Sequence, residues 1–468
     1  MALNRSDGSR MDLGREGPPT VQPAKPAGAT GGPRSSHDRI LVARLPIHFF
    51  SVAIGFFSLA VAAAPWVVGD LVDFFYQPRL LALTHAITLG WITSAIMGVM
   101  HRYVPALTKR PLRFPRMALL QLWLFVVGVM GMVAHFFIGR WIATWLAGGV
   151  VVLSAILFAA NMIYCLAPAG GRGVAETGML LAVLYLLVAA VLGLLLALDK
   201  TFGFLHGSVL TNLAAHAHLA ALGWVSLMIC AVSYRMIPAF LLPEVELPRG
   251  AIWQLYGLAV AVAGLGIALL GRFGGASFWT IAIMLALLAY IGVLVSLVRK
   301  RRMPIDWSMR HALAGVVCLV LCAGLGVTLI WVDPGSALGN RIAGAYGALG
   351  LLGWVTNFIV GMSYKLFPGF IAGLRETVGW PRLAISELSL PRYRPFVFFS
   401  LNSGILVLAG GLITAQVAVA RVGAVVIAVG GLVYVAVMAW TLSYAYRRSL
   451  PQAASDPLRI LPGGSSRP

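Results

Sequence analysis

Imidazole is the side chain of this sequence best equipped for chemistry: near neutral pH one ring nitrogen can carry a proton or bind a metal while the other is anchored. The chain has nine histidines, and His85, His216 and His218 stand inside long uncharged stretches. A titratable group at membrane depth is costly unless it is neutral, paired or metal-bound, so each of the three is a candidate metal ligand or proton carrier. The competing assignment is a neutral ring bonded to a backbone carbonyl. His216 and His218 form a His-x-His, and residues two apart on a helix point about 200° away from each other. They therefore suit two sites on opposite faces of one helix better than a single small site. Cys318 and Cys322 lie at i, i+4, a spacing open to a soft metal and equally to two small buried side chains. All four cysteines fall in or at the ends of apolar stretches, which implies no disulfide framework.

The elements that must position these residues are membrane helices. Hydrophobic residues make up 60% of the chain, charged ones 11%, and the mean hydropathy is +0.89, against roughly 45–50% and 25% in soluble domains. A water-soluble fold is excluded. Twelve stretches are long enough to cross ~30 Å of hydrocarbon, at about 46–68, 79–102, 116–138, 141–166, 175–198, 208–237, 250–271, 277–298, 311–332, 341–367, 396–417 and 421–446. Residues 1–45 and 447–468 are rich in Pro, Gly, Ser and Arg without apolar periodicity, and read as disordered tails. No short apolar core followed by a cleavage site precedes the first stretch, so it is expected to remain as a span.

Self-comparison shows three copies of one unit. Leu89-Gly90-Trp91, Leu222-Gly223-Trp224 and Leu352-Gly353-Trp354 fall on spans 2, 6 and 10. Ten residues after each Trp stand His101, Tyr234 and Tyr364, followed at once by Arg102, Arg235 and Lys365. Pro105, Pro238 and Pro368 come next, and Leu107, Phe240 and Phe370 two positions later. The expected architecture is all-α, three four-helix repeats at about 46–166, 175–298 and 311–446, arranged around a pseudo-threefold axis along the membrane normal.

The repeat also sorts the histidines. His85 and His218 share one position, six residues before their Trp, where the third copy has Ala348. Equivalent positions on pseudo-symmetric helices lie at equal depth, so these two are expected to face one cavity with His216 turned away. His48 and His311 match each other near the start of spans 1 and 9 and, with His101, read as anchors near the membrane surface. His135 and His206 sit near span ends and read as structural or water-facing, with His206 open to an access path; His37 lies in the tail.

The formal charge of +20 is one of topology and gives no support to nucleic-acid binding. Of the 35 Lys and Arg, only Arg79, Arg140, Lys200, Arg272, Arg341 and Arg421 fall on the side opposite the termini. By the positive-inside rule both termini are expected to be cytoplasmic, as in a multi-pass protein of a bacterial-type inner membrane in contact with anionic lipid.

Twelve spans, a three-by-four repeat and histidines in the outer half of spans 2 and 6 resemble subunit I of the heme-copper oxidases and nitric oxide reductases. The stretch LTHAITLGWITSAIMGVMHRYVPAL is similar to the segment in which a span-2 His binds the low-spin heme. AHAHLAALGWVSLMICAVSYRMIP is similar, more loosely, to the NnrS-type heme and copper membrane proteins of nitric oxide tolerance. Span 10 has no His and no His-His pair occurs anywhere, so the standard binuclear oxygen-reducing centre cannot be assembled residue for residue.

The resemblance implies a heme b protein, with copper as a further candidate cofactor. His85 and His218 would be axial ligands, and His216 would serve a second heme or metal. It implies electron transfer with a quinol or cytochrome donor, or reduction of nitric oxide or oxygen, beside a small partner subunit. A non-enzymatic heme or metal sensor or tolerance protein, and a proton- or ion-coupled transporter, are the alternatives.

Overall fold

The computed structural model describes residues 35–167, 173–242, 246–333 and 335–448. Those residues contain twelve helices long and apolar enough to cross a membrane. They are α1 (Ser36–Val72), α2 (Pro78–Thr108), α3 (Pro115–Phe137), α4 (Thr144–Leu166), α5 (Val174–Phe202), α6 (Val209–Leu241), α7 (Gly250–Gly271), α8 (Ala276–Arg299), α9 (Trp307–Thr328), α10 (Ala337–Thr377), α11 (Pro391–Ile413) and α12 (Val417–Ser443). Most of the expected tails lie outside the described residues. The first helix, however, begins at Ser36 and not near 46: the Ser35 hydroxyl caps it by accepting from the Asp38 amide at 3.2 Å, and Pro46 is carried inside it.

Three helices depart from α geometry, and they do so at the same place. Ala86–Thr93 in α2, Leu219–Ser226 in α6 and Leu349–Thr356 in α10 are π-helical, each running from five residues before the conserved-offset Trp to two after it. The Ser226 hydroxyl donates to Ala221 O and that of Thr356 to Leu351 O, both at 2.9 Å and five residues back, so the side chains follow the widened ladder. The Gly before each Trp lets the helix touch the first helix of its own repeat. A Cβ on Gly90 would lie 2.6 Å from Phe56 Cβ, on Gly223 2.6 Å from Tyr185 Cγ, and on Gly353 2.7 Å from Cys318 Cβ. Close approach of this kind needs a residue without a side chain. Pro105, Pro238 and Pro368 stand inside these helices and do not end them: α2 runs on to Thr108, α6 to Leu241 and α10 to Thr377.

Sidedness is set by the charge division and not by the fold alone. Reporter fusions after residue 305 and after residue 338, which flank α9, are expected to report opposite sides of the membrane, with 305 cytoplasmic. Equal signals at the two points would sink the twelve-span topology.

Candidate functional site

The three tryptophans close a ring around the pseudo-threefold axis. Trp91 Nε1 donates to Thr356 Oγ1 at 3.1 Å, Trp224 Nε1 to Thr93 Oγ1 at 3.2 Å and Trp354 Nε1 to Ser226 Oγ at 3.2 Å. Each acceptor stands two residues after the Trp of the preceding repeat, taken cyclically. All three indoles are buried, so the donors would be orphaned without this ring. The ring sets a register: a position in one repeat meets the position two residues later in the repeat before it.

That register decides what the histidines face. His216, eight residues before Trp224, should meet His85, six before Trp91; the two are within electrostatic reach of each other. Tyr346, eight before Trp354, should meet His218, six before Trp224; its hydroxyl lies 3.3 Å from His218 Nε2. At the third junction the same register sets Leu83 against Ala348, so that junction is apolar. The register thus puts His85 within electrostatic reach of His216 and sets His218 against Tyr346, where the sequence had grouped His85 with His218 and set His216 apart. Equal depth does not place two residues on one cavity, because each faces a different neighbouring repeat.

Hydrogen bonds fix the state of each ring. His85 Nδ1 lies 2.7 Å from Leu81 O, His218 Nδ1 2.7 Å from Ala214 O, and His216 Nδ1 3.1 Å from Ala189 O on α5. A carbonyl only accepts, so Nδ1 carries the proton in all three and Nε2 is left with a lone pair. His218 Nε2 accepts from the Tyr346 hydroxyl. Among the described residues, the Nε2 atoms of His85 and His216 have no hydrogen-bond partner. Gly193 makes room for the His216 ring, since a Cβ there would lie 2.8 Å from Cε1, and the His85 ring packs on Phe136 with centroids 4.8 Å apart.

The other candidates are placed differently from expectation or are bland. His101 and His311 are not surface anchors but wholly buried. His101 stacks on Phe49 and donates to Met97 O at 2.7 Å; His311 packs edge-on to Phe398 and reaches Asn357. Only their burial could have flagged them, and it arises from aromatic neighbours on other helices. His48 stacks near Tyr446, His135 bonds its own helix at Gly131 O, and His206 is exposed. Cys322 Sγ donates to Tyr346 O at 3.5 Å and Cys318 packs on Gly353, which fits small structural side chains.

Among the described residues no three His, Cys, Asp or Glu side chains converge as a metal site. A three-histidine copper site therefore does not fit this side-chain set. Heme iron makes a smaller demand, because the porphyrin supplies four nitrogens and the protein at most two. Two cavities stand out elsewhere and neither is lined by a histidine. One of about 770 Å³ includes Arg39, Arg102 and Lys109; the other, about 390 Å³, lies between α9 and α11 against Cys318 and Asn402.

No protein-family model and no curated protein matches the sequence. Among solved structures, the chain is similar to a heme-copper terminal oxidase determined as a dimer by cryo-electron microscopy. The TM-score is 0.62 over 89% of this chain and 85% of that one, at 13% identity. At that identity the likeness is one of fold: the chain is an all-helical membrane protein with the architecture of a heme-copper oxidase subunit.

Proposed function

We propose that this chain is a heme-binding membrane protein that moves electrons or acts on a diatomic gas, nitric oxide or oxygen, from a site between α2 and α6. The observation that supports it is the His85–His216 pair. Two imidazoles from different repeats come within electrostatic reach, each with Nδ1 donated to a backbone carbonyl and Nε2 bare. Anchoring one ring nitrogen so that the other presents its lone pair is how proteins prepare an axial ligand. Neutral rings also resolve the cost of placing imidazoles at membrane depth.

His85 and His216 would hold the heme, which when bound supplies one-electron exchange or gas binding. The protein's own contribution is orientation and exclusion. Leu81 O and Ala189 O fix the tautomers, and Phe136 provides an apolar wall beside His85. His218 is held differently: Tyr346 caps its Nε2, so a second ligand role there requires the phenol to move first.

The deciding measurement is the absorption spectrum of the purified chain, oxidised and reduced, with iron and copper counted per chain. Expected are low-spin b-type bands, about one iron and no copper. A colourless protein from heme-replete cells would overturn the reading and favour the transporter alternative. Turnover of oxygen or nitric oxide with a reduced quinol or cytochrome then separates an enzyme from a sensor or tolerance protein.

A further inference from the structure

The third repeat carries buried chemistry that the heme site does not use. Among the described residues, four polar atoms at one end of it have no hydrogen-bond partner: Ser308 Oγ, His311 Nε2, Tyr364 Oη and Arg394 Nε; a fifth, Asn340 Oδ1, lies near the start of α10, more than twenty residues before Tyr364. Ser308, His311 and Tyr364 are 1%, 0% and 5% exposed, so bulk solvent does not satisfy them. Buried polar atoms are nearly always paired, and a local group of orphans marks bound water or a ligand.

The four are neighbours. Ser308 and His311 are one turn apart on α9, the His311 and Tyr364 rings are 6.1 Å apart, and the Arg394 guanidinium sits 4.9 Å from the centre of the Tyr364 ring. Gly361 brings α10 onto this turn of α9, since a Cβ there would lie 2.5 Å from Ser308 O and 3.0 Å from His311 Cβ. Toward the surface, Lys365 Nζ pairs with Asp306 Oδ2 at 2.7 Å, and that pair is partly exposed. Toward the interior, Asn357 Nδ2 donates to Gly353 O at 2.8 Å and to Asn402 Oδ1 at 3.0 Å, which occupies both its protons. Its Oδ1 accepts from Asn402 Nδ2 at 3.2 Å, and His311 Nδ1, 2.8 Å away, must therefore carry a proton and donate to it as well. His311 is thus held through Nδ1 while its Nε2 keeps a lone pair without a partner, beside the Tyr364 ring. Tyr434 closes the far side, its hydroxyl bonded to Ser363 and its ring against Tyr364.

We propose that Ser308, His311, Tyr364 and Arg394 enclose ordered water that bridges the Tyr364 hydroxyl to His311 Nε2 and carries protons between the Asp306–Lys365 surface and the interior of the third repeat. In the inward step the bridging water gives a proton to Nε2: an O–H bond breaks, an N–H bond forms, and the hydroxide left behind takes a proton from the next water on the surface side. The imidazolium keeps its Nδ1–H on Asn357. The outward step reverses each transfer. No redox partner is needed, so the relay stands whether or not heme binds between α2 and α6.

Deuterium exchange at the imidazole carbon between the two nitrogens, followed by mass spectrometry of the full chain in lipid nanodiscs, tests it. That exchange needs a proton on the ring and hydroxide beside it, so it reads delivery of both. His311 is expected to exchange measurably despite its burial. Tyr364→Phe should slow it by about fivefold or more, the scale of losing one bridging hydrogen bond. Ser308→Ala, which removes a different water partner and little else, should slow it as well. The rates of His101 and His206 should not move, and they report that each variant is folded; if Tyr364→Phe disturbs them, Ser308→Ala decides. A His311 that does not exchange in the unaltered chain, or one whose rate survives the folded variants unchanged, overturns the proposal.

Discussion

His85→Ala and His216→Ala are each expected to remove the heme bands, cutting bound iron by about 100-fold or more, while His218→Ala leaves them in place. Perturbing the groups that merely orient a ligand costs about 10–100-fold in metal affinity, so loss of the ligand itself should cost at least the upper figure. The selectivity comes from the register around the axis. His216 and His85 lie within electrostatic reach of each other, and neither Nε2 has a hydrogen-bond partner among the described residues, whereas His218 Nε2 accepts from Tyr346. Gly193→Ala supplies a graded version: its methyl would lie 2.8 Å from His216 Cε1 and turn the ring, lowering occupancy by about tenfold without touching either ligand. Iron per chain and the intensity of the reduced α band measure all four variants. If His218→Ala bleaches the protein and His216→Ala does not, the ligand pair is His85 with His218 and the register argument fails.

Gly223→Val should be strongly disruptive, lowering stability by roughly 3 kcal/mol or more. The first added carbon would already sit 2.6 Å from Tyr185 Cγ and 3.0 Å from its Cβ. The ring cannot simply swing aside, because its hydroxyl donates to Ala259 O at 2.5 Å on α7. Relief must come from moving α5 away from α6. That shift would also stretch the His216–Ala189 contact, which joins the same two helices. The variant should therefore unfold at lower temperature and bind less heme in parallel, read by size-exclusion after heating and by the visible spectrum. Gly257→Val is the matched control: nothing lies within 4 Å of a Cβ there, and α7 should accept it with little change. Equal melting of the two variants would show that α5 and α6 are not held in contact at Gly223.

Length and apolarity determine how many helices cross a bilayer, and residue identity at fixed offsets reveals a duplicated unit, so both were legible in the sequence. The three Leu-Gly-Trp segments announced the helices that line the axis, and the absence of His from span 10 announced that the standard oxidase centre could not be copied. Helix limits were less legible, because capping at Ser35 and tolerance of Pro46 extend α1 beyond its apolar stretch. The π segments left no pattern beyond the repeat itself. Burial of His101 and His311 was hidden as well, since a ring near the end of an apolar run looks interfacial until Phe49, Phe158 or Phe398 is packed on it from another helix.

The pairing of the histidines was decided only in three dimensions. A two-residue spacing determines that His216 and His218 point apart, but it says nothing about the absolute rotation of α6. The Trp ring sets that rotation through hydrogen bonds between residues more than 120 positions apart, such as Trp224 with Thr93 and Trp354 with Ser226. The sequence thus carries the histidines and their depth, while the ring of indole donors sets the register in which each one meets the neighbouring repeat, because a buried N–H must find its acceptor and only one register supplies all three.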